Sequence, residues 1–441
     1  MIIRPGRNLL ILIAIEILIG VVAFVWEPIL GIIGLSLILV IGVAIHDARR
    51  AARLIDQIKA SRRLPRVVGR GVPFEILLNV TNETSTHIAG EIRDVRPAAC
   101  QPIWNSVAFD LVSNGACIEL KSACKIPVRG LHRFGSLWVR IQGPFGLIEV
   151  QREITTQDEI KILPETFASR GELQKDLKAE LQVLDKVNRT RQKGSGSEFV
   201  TLEEFRQGDD PRRIDWRATA HHRFPIVRRY QVERHRDVLI LIDNGRLMGT
   251  MTDRGSKLDC AVDASLNLAR VVLESGDRCG IGFFDSSLRG HLRPMAGPNS
   301  LRNLVECVYD LQTQWKETDF TRVFAEIQQR QSKRCLLVIL SDLGDAETSR
   351  MHCAALEKLN RRHLVLFAAL RTPLLERVIQ GPMETVVEGA SKAVAMGLLR
   401  DRGRSLHALK HGGLQILDVE PQQLTLPLIN QFIELRTRNL L

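Results

Sequence analysis

The stretch Val238-Leu239-Ile240-Leu241-Ile242-Asp243 is the segment that decides the fold of this chain. A continuous apolar run of this length is typical of a strand that is covered on both faces, as in parallel sheets. A segment beginning near Lys257 follows it, with Leu258, Val262 and Leu266 at the spacing of one helix face. A buried strand followed by an amphipathic helix predicts one strand–helix unit of an α/β domain.

The same pattern recurs through the rest of the chain. Strand-like apolar runs lie at 281–284, 336–340 and 364–370, and a helical pattern follows most of them. Alternating strands and helices predict an open, mostly parallel α/β sheet, because parallel strands need crossover helices. We therefore expect one α/β domain over residues 237–441.

Upstream of this domain the hydrophobic period changes. Apolar and polar residues alternate in 74–80 and 137–142, and turn-forming residues separate such segments. This pattern predicts a small antiparallel β domain over residues 65–165. Residues 166–236 are expected to be a linker, with a polar helical stretch, a flexible basic loop and a distinctive Arg-rich segment.

The amino terminus carries two apolar runs, Leu9–Val25 and Ile29–Ile45, separated by Trp26-Glu27-Pro28. We interpret residues 1–47 as a two-span transmembrane hairpin, since Pro28 breaks a helix and a single helix would be far too long to span once. Basic residues flank both outer ends, and residues 48–64 form a basic juxtamembrane segment. The positive-inside rule then places both termini and the body on the cytoplasmic side of the inner membrane. Glu16 would be an intramembrane charge, where a second copy of the chain could join.

Net charge and cysteines limit the classes of function. The formal net charge is +11, but aromatic residues make up only 5% of the chain, so we expect no nucleic-acid binding. The eight cysteines form no C-x-x-C pair and lie mostly in apolar runs. We expect buried thiols in a reducing compartment rather than a disulfide framework.

Polar side chains follow two of the predicted strands. Asp243 ends the first strand, Asp342 follows the run at 336–340, and Thr318 lies in a polar segment before a helix. Ligands in open α/β sheets bind at the carboxyl ends of the strands. Two carboxylates and a hydroxyl at one sheet edge are suitable ligands for Mg²⁺.

This arrangement resembles the von Willebrand factor A fold, whose members bind a divalent metal through Asp-x-Ser-x-Ser, a Thr and a further Asp. Asp243, Thr318 and Asp342 match the first Asp, the Thr and the last Asp. Gly245 and Leu247 occupy the two Ser positions, so two of the family's ligands are missing. The resemblance implies a degenerate metal-dependent adhesion site, and the alternative is that both Asp residues only cap helices or accept backbone bonds.

A second segment is more specific. It runs from Phe205 to Ala220 and includes Arg206, Gly208, Asp209, Asp210, Arg212, Asp215 and Trp216. It resembles the signature of domain-of-unknown-function family 58, and Gly143-Pro144-Phe145-Gly146-Leu147 matches that group's upstream pattern. The resemblance implies a membrane-anchored protein that is encoded beside MoxR-type AAA+ ATPases. Taken from the residues themselves, the segment is a structural clasp of Arg–Asp pairs, a docking surface, or a phosphate-binding loop.

We predict a non-enzymatic protein, since the sequence has no P-loop and no nucleophile–base pair that stands out. The leading hypothesis is a membrane-anchored scaffold that presents the A-like domain to a MoxR-type AAA+ ATPase, with the bilayer contacted only through the hairpin. One alternative is a Mg²⁺-dependent hydrolase or transferase acting on an envelope precursor through Asp243 and Asp342. The second alternative is an anionic-lipid or nucleic-acid binder working through the Arg-rich segment.

Overall fold

The computed structural model describes residues 1–23, 28–112, 115–165, 198–206, 211–221, 224–231, 236–297, 299–343, 346–438 and 440. The chain divides into two compact units, Met1–Leu163 and Pro164–Leu441. The predicted turn at Trp26 and Glu27, the helical linker within 172–186 and the basic loop 191–197 lie outside the described residues.

The first unit contains two helices and a set of mostly antiparallel strands. The helices are α1 (Arg7–Ala23) and α2 (Pro28–Asp56). The strands are β1 (Ile2–Pro5), β2 (Ile58–Arg63), β3 (Val67–Gly69), β4 (Phe74–Asn82), β5 (Ile88–Val95), β6 (Trp104–Leu111), β7 (Ala116–Cys124), β8 (Gly130–Phe134), β9 (Leu137–Gln142), β10 (Ile148–Ile154) and β11 (Asp158–Leu163). They form three sheets, ordered β1-β10-β9-β5-β6, β2-β4-β7 and β3-β11-β8.

The core of the first unit follows from alternation along its strands. In β4 the side chains of Phe74, Ile76, Leu78 and Val80 are buried, because successive side chains of a strand point to opposite faces. Matching residues of the neighbouring strands complete one apolar cluster. Strand β11 pairs parallel with β3 and antiparallel with β8, so this small sheet is mixed.

The amino-terminal helices require a correction. Within the described residues, no helix combines the length and the apolar character needed to cross a membrane. The predicted two-span transmembrane hairpin over 1–47 is therefore wrong, and so is the inner-membrane localisation that depended on it. The fold is a combination of mixed sheets and helices without that hairpin, and Glu16 lies half-buried on α1.

The physical reason lies in how the two apolar runs are used. Helix α1 has 17 residues and is about 25 Å long, shorter than a hydrocarbon core of about 30 Å. Helix α2 continues beyond the end of the second apolar run, Ile45, as far as Asp56. In this continuation Ala51 and Ile55 are buried in the core of the β domain. Half of α2 is thus an ordinary amphipathic helix of a folded unit.

Asp47 fixes this second half of α2 to the β domain. Its buried carboxylate accepts hydrogen bonds from the backbone N–H groups of Phe145, Leu147 and Ile148 at 2.9, 3.0 and 3.1 Å. A side chain at Gly143 would lie within 2.4 Å of this carboxylate. The Gly-Pro-Phe-Gly-Leu pattern is therefore the turn that wraps around Asp47. Its first glycine, Gly143, is needed because the turn approaches the Asp47 carboxylate too closely for a side chain.

The predicted basic juxtamembrane segment, 48–64, is also part of the folded unit. Its Arg62 lies on β2 with a fully buried side chain, 2.7 Å from Asp94 and 3.0 Å from Asp158. Arg49 and Arg50 are exposed on α2. The basic residues of this segment therefore differ in their surroundings, since Arg62 is buried in an ion pair whereas Arg49 and Arg50 are exposed.

One pair of cysteines departs from the expectation of thiols only. Cys100 and Cys124 form a disulfide with a Cα–Cα distance of 6.4 Å. The other six cysteines are free, and burial raises the pKa of Cys279 and of Cys335. These two buried thiols behave as small apolar side chains, as predicted.

The second unit is built around a six-stranded sheet in the order β18-β17-β14-β19-β20-β21. Strand β14 pairs parallel with both β17 and β19, and only β18 runs antiparallel to its neighbour in this sheet. The strands of the unit are β12 (Glu198–Glu204), β13 (Ile226–Gln231), β14 (Asp237–Asp243), β15 (Met251–Thr252), β16 (Gly255–Ser256), β17 (Arg278–Phe284), β18 (Leu288–Met295), β19 (Leu336–Ser341), β20 (Leu364–Leu370) and β21 (Gln415–Val419). Strands β12 and β13 form a separate hairpin, and so do β15 and β16.

Helices cover both faces of this sheet, which is why β14 is buried along its length. They are α3 (Trp216–Thr219), α4 (Lys257–Glu274), α5 (Ser300–Val308), α6 (Phe320–Arg330), α7 (Ala346–Asn360), α8 (Pro373–Gln380), α9 (Val386–His411) and α10 (Thr425–Thr437). Helices α5 and α10 pack against α4, whereas α6 and α9 pack against α7. Leu239 and Leu241 of β14 join the cluster that contains Phe320 and Phe367.

Candidate functional site

The carboxyl edge of the six-stranded sheet brings the three predicted site residues of this domain together. Asp243 ends β14, Asp342 follows β19, and Thr318 precedes α6. The hydroxyl of Thr318 donates a hydrogen bond of 2.9 Å to Asp243 Oδ1. Strands β14 and β19 are adjacent and parallel, so they end at the same edge of the sheet. The carboxylates of Asp243 and Asp342 therefore become neighbours, although Ser341, the last residue of β19, lies 98 positions beyond Asp243.

Asp243 is held by donors on both of its oxygens. The backbone N–H of Gly245 donates to Oδ1 at 2.8 Å, and the hydroxyl of Ser341 donates to Oδ2 at 2.5 Å. Burial raises the pKa of Asp243 to about 6, although these hydrogen bonds oppose the shift. Burial therefore favours the protonated form of Asp243 more than it is favoured in an exposed aspartate.

Asp342 is surrounded by cations. The ammonium of Lys257, the first residue of α4, lies 2.5 Å from Oδ2, and Nε of Arg402 on α9 lies 3.3 Å from Oδ1. Lys257 is fully buried, and this burial lowers the pKa of its ammonium while Asp342 opposes that effect. Arg402 also contacts Asp418 at 2.9 Å. A buried carboxylate requires such partners, because an uncompensated buried charge is strongly destabilising.

These groups line a cavity of about 380 Å³. Its apolar lining residues are Leu247, Leu343, Leu375 and Leu398, and its cationic lining residues are Arg246, Lys316 and Arg402. Arg246 pairs with Glu317 at 3.1 Å, whereas Lys316 is exposed and has no carboxylate partner in the described part of the chain. The cavity therefore combines aliphatic walls with an unpaired positive charge at its edge.

The loop before α6 carries an exposed tryptophan, Trp315, next in sequence to the cavity-lining residue Lys316. Gln314 N donates to Asn244 O at 2.7 Å, and Arg246 N donates to Lys316 O at 2.9 Å, so the loop is fixed to the end of β14. Trp315 lies between these two anchor points and is 80% exposed. A large exposed aromatic residue on a fixed loop is typical of a protein-binding surface.

The side chains present do not suit a resident Mg²⁺ ion. A Cβ atom at Gly245 would lie 2.3 Å from Thr318 Oγ1, so the space that a family serine would use is filled. Lys257 and Arg402 already neutralise Asp342, so this carboxylate has no free negative charge to offer a metal ion. Among the described residues, no group of three or more His, Cys, Asp or Glu is arranged to hold a metal ion.

The Arg-rich segment is described in part. Gly208, Asp209 and Asp210 lie outside the described residues, whereas Arg206 and Arg212 are exposed. Asp215 caps α3, because its carboxylate accepts hydrogen bonds from Arg217 N and Ala218 N at 3.1 and 3.2 Å. Trp216 is 71% exposed and lies at the start of this short helix.

Backbone contacts attach α3 to strand β13. Asp215 N donates to Ile226 O at 2.8 Å, and Ile226 N donates to the Thr219 hydroxyl at 2.9 Å. The Asp-Trp part of the signature therefore fixes α3 to the β12–β13 hairpin and leaves the indole of Trp216 accessible.

The sequence reasoning missed Lys257 and Arg402. Lys257 offers one signal that was available, since a cation in the first turn of a helix is unfavourable with the helix dipole and requires a compensating anion. Arg402 offers none, because it lies among several arginines of α9 and 60 residues beyond Asp342. Arg402 is distinguished from the other arginines of α9 only by the packing of this helix, which brings its side chain to Asp342.

Comparisons with known proteins support the family resemblance. The family model described as "Protein of unknown function DUF58" matches residues 202–389, which include the Asp-Trp segment and the carboxyl edge of the sheet. No curated protein matches the chain.

Two solved structures illustrate the structural comparison. The CARDB domain of a Pyrococcus furiosus protein is 9% identical, with 24% of this chain and 87% of that chain covered and a TM-score of 0.17. The exo-β-N-acetylglucosaminidase of Vibrio harveyi is also 9% identical, with 82% of this chain and 75% of that chain covered and a TM-score of 0.21. Scores this low support no structural or functional argument.

Proposed function

We propose that the second unit is a von Willebrand factor A-like protein-interaction domain that presents the carboxyl edge of its sheet to a MoxR-type AAA+ ATPase. The observation that carries the proposal is the cavity at this edge, with the exposed Trp315 and the unpaired Lys316 beside it. Tryptophan is among the side chains that dominate protein–protein binding energy, and an exposed cation favours an acidic partner surface.

Two further observations support the A-like assignment. The sheet order and its single antiparallel edge strand are compatible with that fold, and Asp243, Thr318 and Asp342 lie at one edge. The partner is suggested by the resemblance to domain-of-unknown-function family 58, whose members are encoded beside such ATPases. The chain itself has no G-x-x-x-x-G-K-[ST] motif, so ATP hydrolysis would come from the partner.

In this proposal the interaction is independent of a divalent metal. Lys257 supplies the positive charge opposite Asp342 that a metal ion would supply, and it does so as a permanent part of the fold. In this proposal the chain acts by binding its partner, and the partner supplies the ATP hydrolysis.

The test is capture of a purified MoxR-type ATPase, from a host that encodes both proteins, by the immobilised full chain with ATP, with ADP and without nucleotide. We expect capture in at least one state and about a tenfold or greater loss for Trp315→Ala, as for an interface hot spot. Met351→Ala is the matched control, because Met351 is 65% exposed on α7 and does not line the cavity. Absence of capture by the wild-type chain in every nucleotide state contradicts the proposed partner.

A further inference from the structure

An apolar groove adjoins the cavity at the sheet edge. It lies between α8 and α9, encloses about 520 Å³, and is lined by aliphatic side chains that include Val378, Val387 and Val394. Ser391 is its one polar lining residue, and no ionisable side chain lines it. The groove is therefore a surface for aliphatic side chains and excludes charged ones.

The groove has the geometry that receives a helix. Along α9 its lining residues Val387, Ala390, Val394 and Leu398 recur at intervals of three or four, so they form one stripe on that helix. Helix α8 packs against α9 and supplies the opposite wall. Val387 is 74% exposed, which is unusual for a valine in an aliphatic stripe and marks an unfilled surface.

The groove and the cavity share two lining residues. Leu375 of α8 and Leu398 of α9 line both of them. At the cavity, Asp342 is neutralised by Lys257 and Arg402, and Arg246 is paired with Glu317. Lys316 remains as the accessible cation without a carboxylate partner among the described residues.

We propose that the groove and the cavity together bind one amphipathic helix of a partner protein, with its aliphatic stripe in the groove and an Asp or Glu side chain at Lys316. This inference rests on the proposed function, because it assigns the chemistry of the segment that docks at the same sheet edge. The aliphatic lining of the groove favours an aliphatic stripe on the bound helix. The ammonium of Lys316 favours an Asp or Glu side chain on that helix.

The first experiment selects binders from a displayed library of short helical peptides, with the intact chain as bait. Enriched peptides are expected to carry Leu, Ile or Val at i, i+4 and i+7, and an Asp or Glu beyond one end of that stripe. Affinity of one enriched peptide is then measured by fluorescence anisotropy against the wild type and variants.

Val387→Glu is expected to weaken that peptide at least about tenfold, because it puts a charge into the aliphatic groove. Lys316→Glu is expected to weaken it about fivefold, and a peptide with Lys in place of its acid is expected to recover affinity for that variant. Met351→Glu, on α7, is the matched control and should leave the affinity unchanged.

Any of three peptide results overturns the inference. The wild-type bait enriches peptides no more than the Val387→Glu bait does, the enriched peptides lack an acidic residue, or one enriched peptide binds the wild type and Val387→Glu with equal affinity. Sedimentation that shows a dimer of the wild type and a monomer of Val387→Glu also overturns it, because the groove is then filled by a second copy of the chain.

The two proposals fail separately. If the ATPase is captured equally by the wild type and by Val387→Glu, the groove assignment fails while the partner proposal stands. If the peptide binds as expected but no ATPase is captured, the partner proposal fails while the groove assignment stands.

Discussion

Each of the two units contains a buried cluster of charged side chains, and the clusters differ in their surroundings. In the first unit Asp94 contacts Arg62 at 2.7 Å and Arg96 at 3.1 Å, and all three side chains are fully buried. In the second unit Asp342 contacts Lys257 at 2.5 Å and Arg402 at 3.3 Å. The arrangement of one carboxylate between two cations is the same.

The difference lies outside the ion pairs. Each cluster leaves one arginine nitrogen without an acceptor, Nε of Arg62 and Nη2 of Arg402, so an unpaired donor does not by itself distinguish a binding site. Around Arg62 the described structure is packed β-sheet core, whereas Arg402 lines a cavity beside an exposed tryptophan. Buried charge serves the fold in both units, and only the accessible cavity indicates binding in the second.

The largest effect on stability is expected in the first unit. Asp94→Asn removes the carboxylate shared by Arg62 and Arg96, so that Arg62 keeps only Asp158 and Arg96 keeps no carboxylate partner among the described residues. We expect a loss of about 3–5 kcal/mol in the free energy of unfolding of this unit. Urea unfolding, with hydrogen exchange of peptides from β4 and β5 to locate the change, measures it. A loss below about 1 kcal/mol contradicts the structural role of this cluster.

A somewhat smaller loss is expected when Lys257 is replaced. Lys257→Met removes one of the two cations at Asp342 but leaves Arg402, so we expect roughly 2–4 kcal/mol, measured by hydrogen exchange of β14 and β19. Addition of Mg²⁺ should not restore the loss, because Gly245 and Leu247 offer no side-chain oxygens. The double variant Lys257→Met/Asp342→Leu should be more stable than the single variant. Full recovery with Mg²⁺ would favour the metal-dependent alternative.

The free energy of unfolding of the second unit is expected to depend on pH because of Asp243. Its pKa is raised by burial to about 6, so the folded state holds this proton more tightly than the unfolded state does. The free energy of unfolding should therefore fall as pH rises from about 4 to 6, by roughly 2–3 kcal/mol, and then stay level. Hydrogen exchange of β14 at several pH values measures this fall in the free energy of unfolding. The Asp243→Asn variant should not show the fall.

The smallest effect on stability is expected at Trp315. Because its side chain is exposed, Trp315→Ala should change the free energy of unfolding by no more than about 0.5 kcal/mol, by urea unfolding. Loss of partner binding by this variant then reflects a lost contact. A destabilisation above about 2 kcal/mol would show that the indole supports the fold instead.

The sequence predicts three strands of the second unit well, because each is a short continuous apolar run that alternates along the chain with a helical pattern. The runs at 238–242, 336–340 and 364–370 are strands β14, β19 and β20. It fails at the amino terminus, where length and hydropathy alone cannot show that α2 continues into the β domain. The decisive contact there, between Asp47 and the turn at 143–148, joins residues about 100 positions apart.

The same limit applies to the candidate site. Asp243, Thr318 and Asp342 could be placed at one sheet edge, because each follows or precedes a predictable element. The cations that neutralise Asp342 come from two helices, and the groove depends on the packing of α8 against α9. Such tertiary contacts leave little trace in the local sequence pattern.

The central claim is that the partner docks at the carboxyl edge of the second unit, and matched charge reversals in the two units test it most directly. Lys316→Glu changes the exposed cation beside the cavity, and Lys121→Glu changes an exposed lysine on β7 of the first unit. We predict that Lys316→Glu lowers capture of the purified MoxR-type ATPase about fivefold, whereas Lys121→Glu leaves it unchanged. An equal loss for both variants, or a loss for Lys121→Glu alone, would contradict the claim.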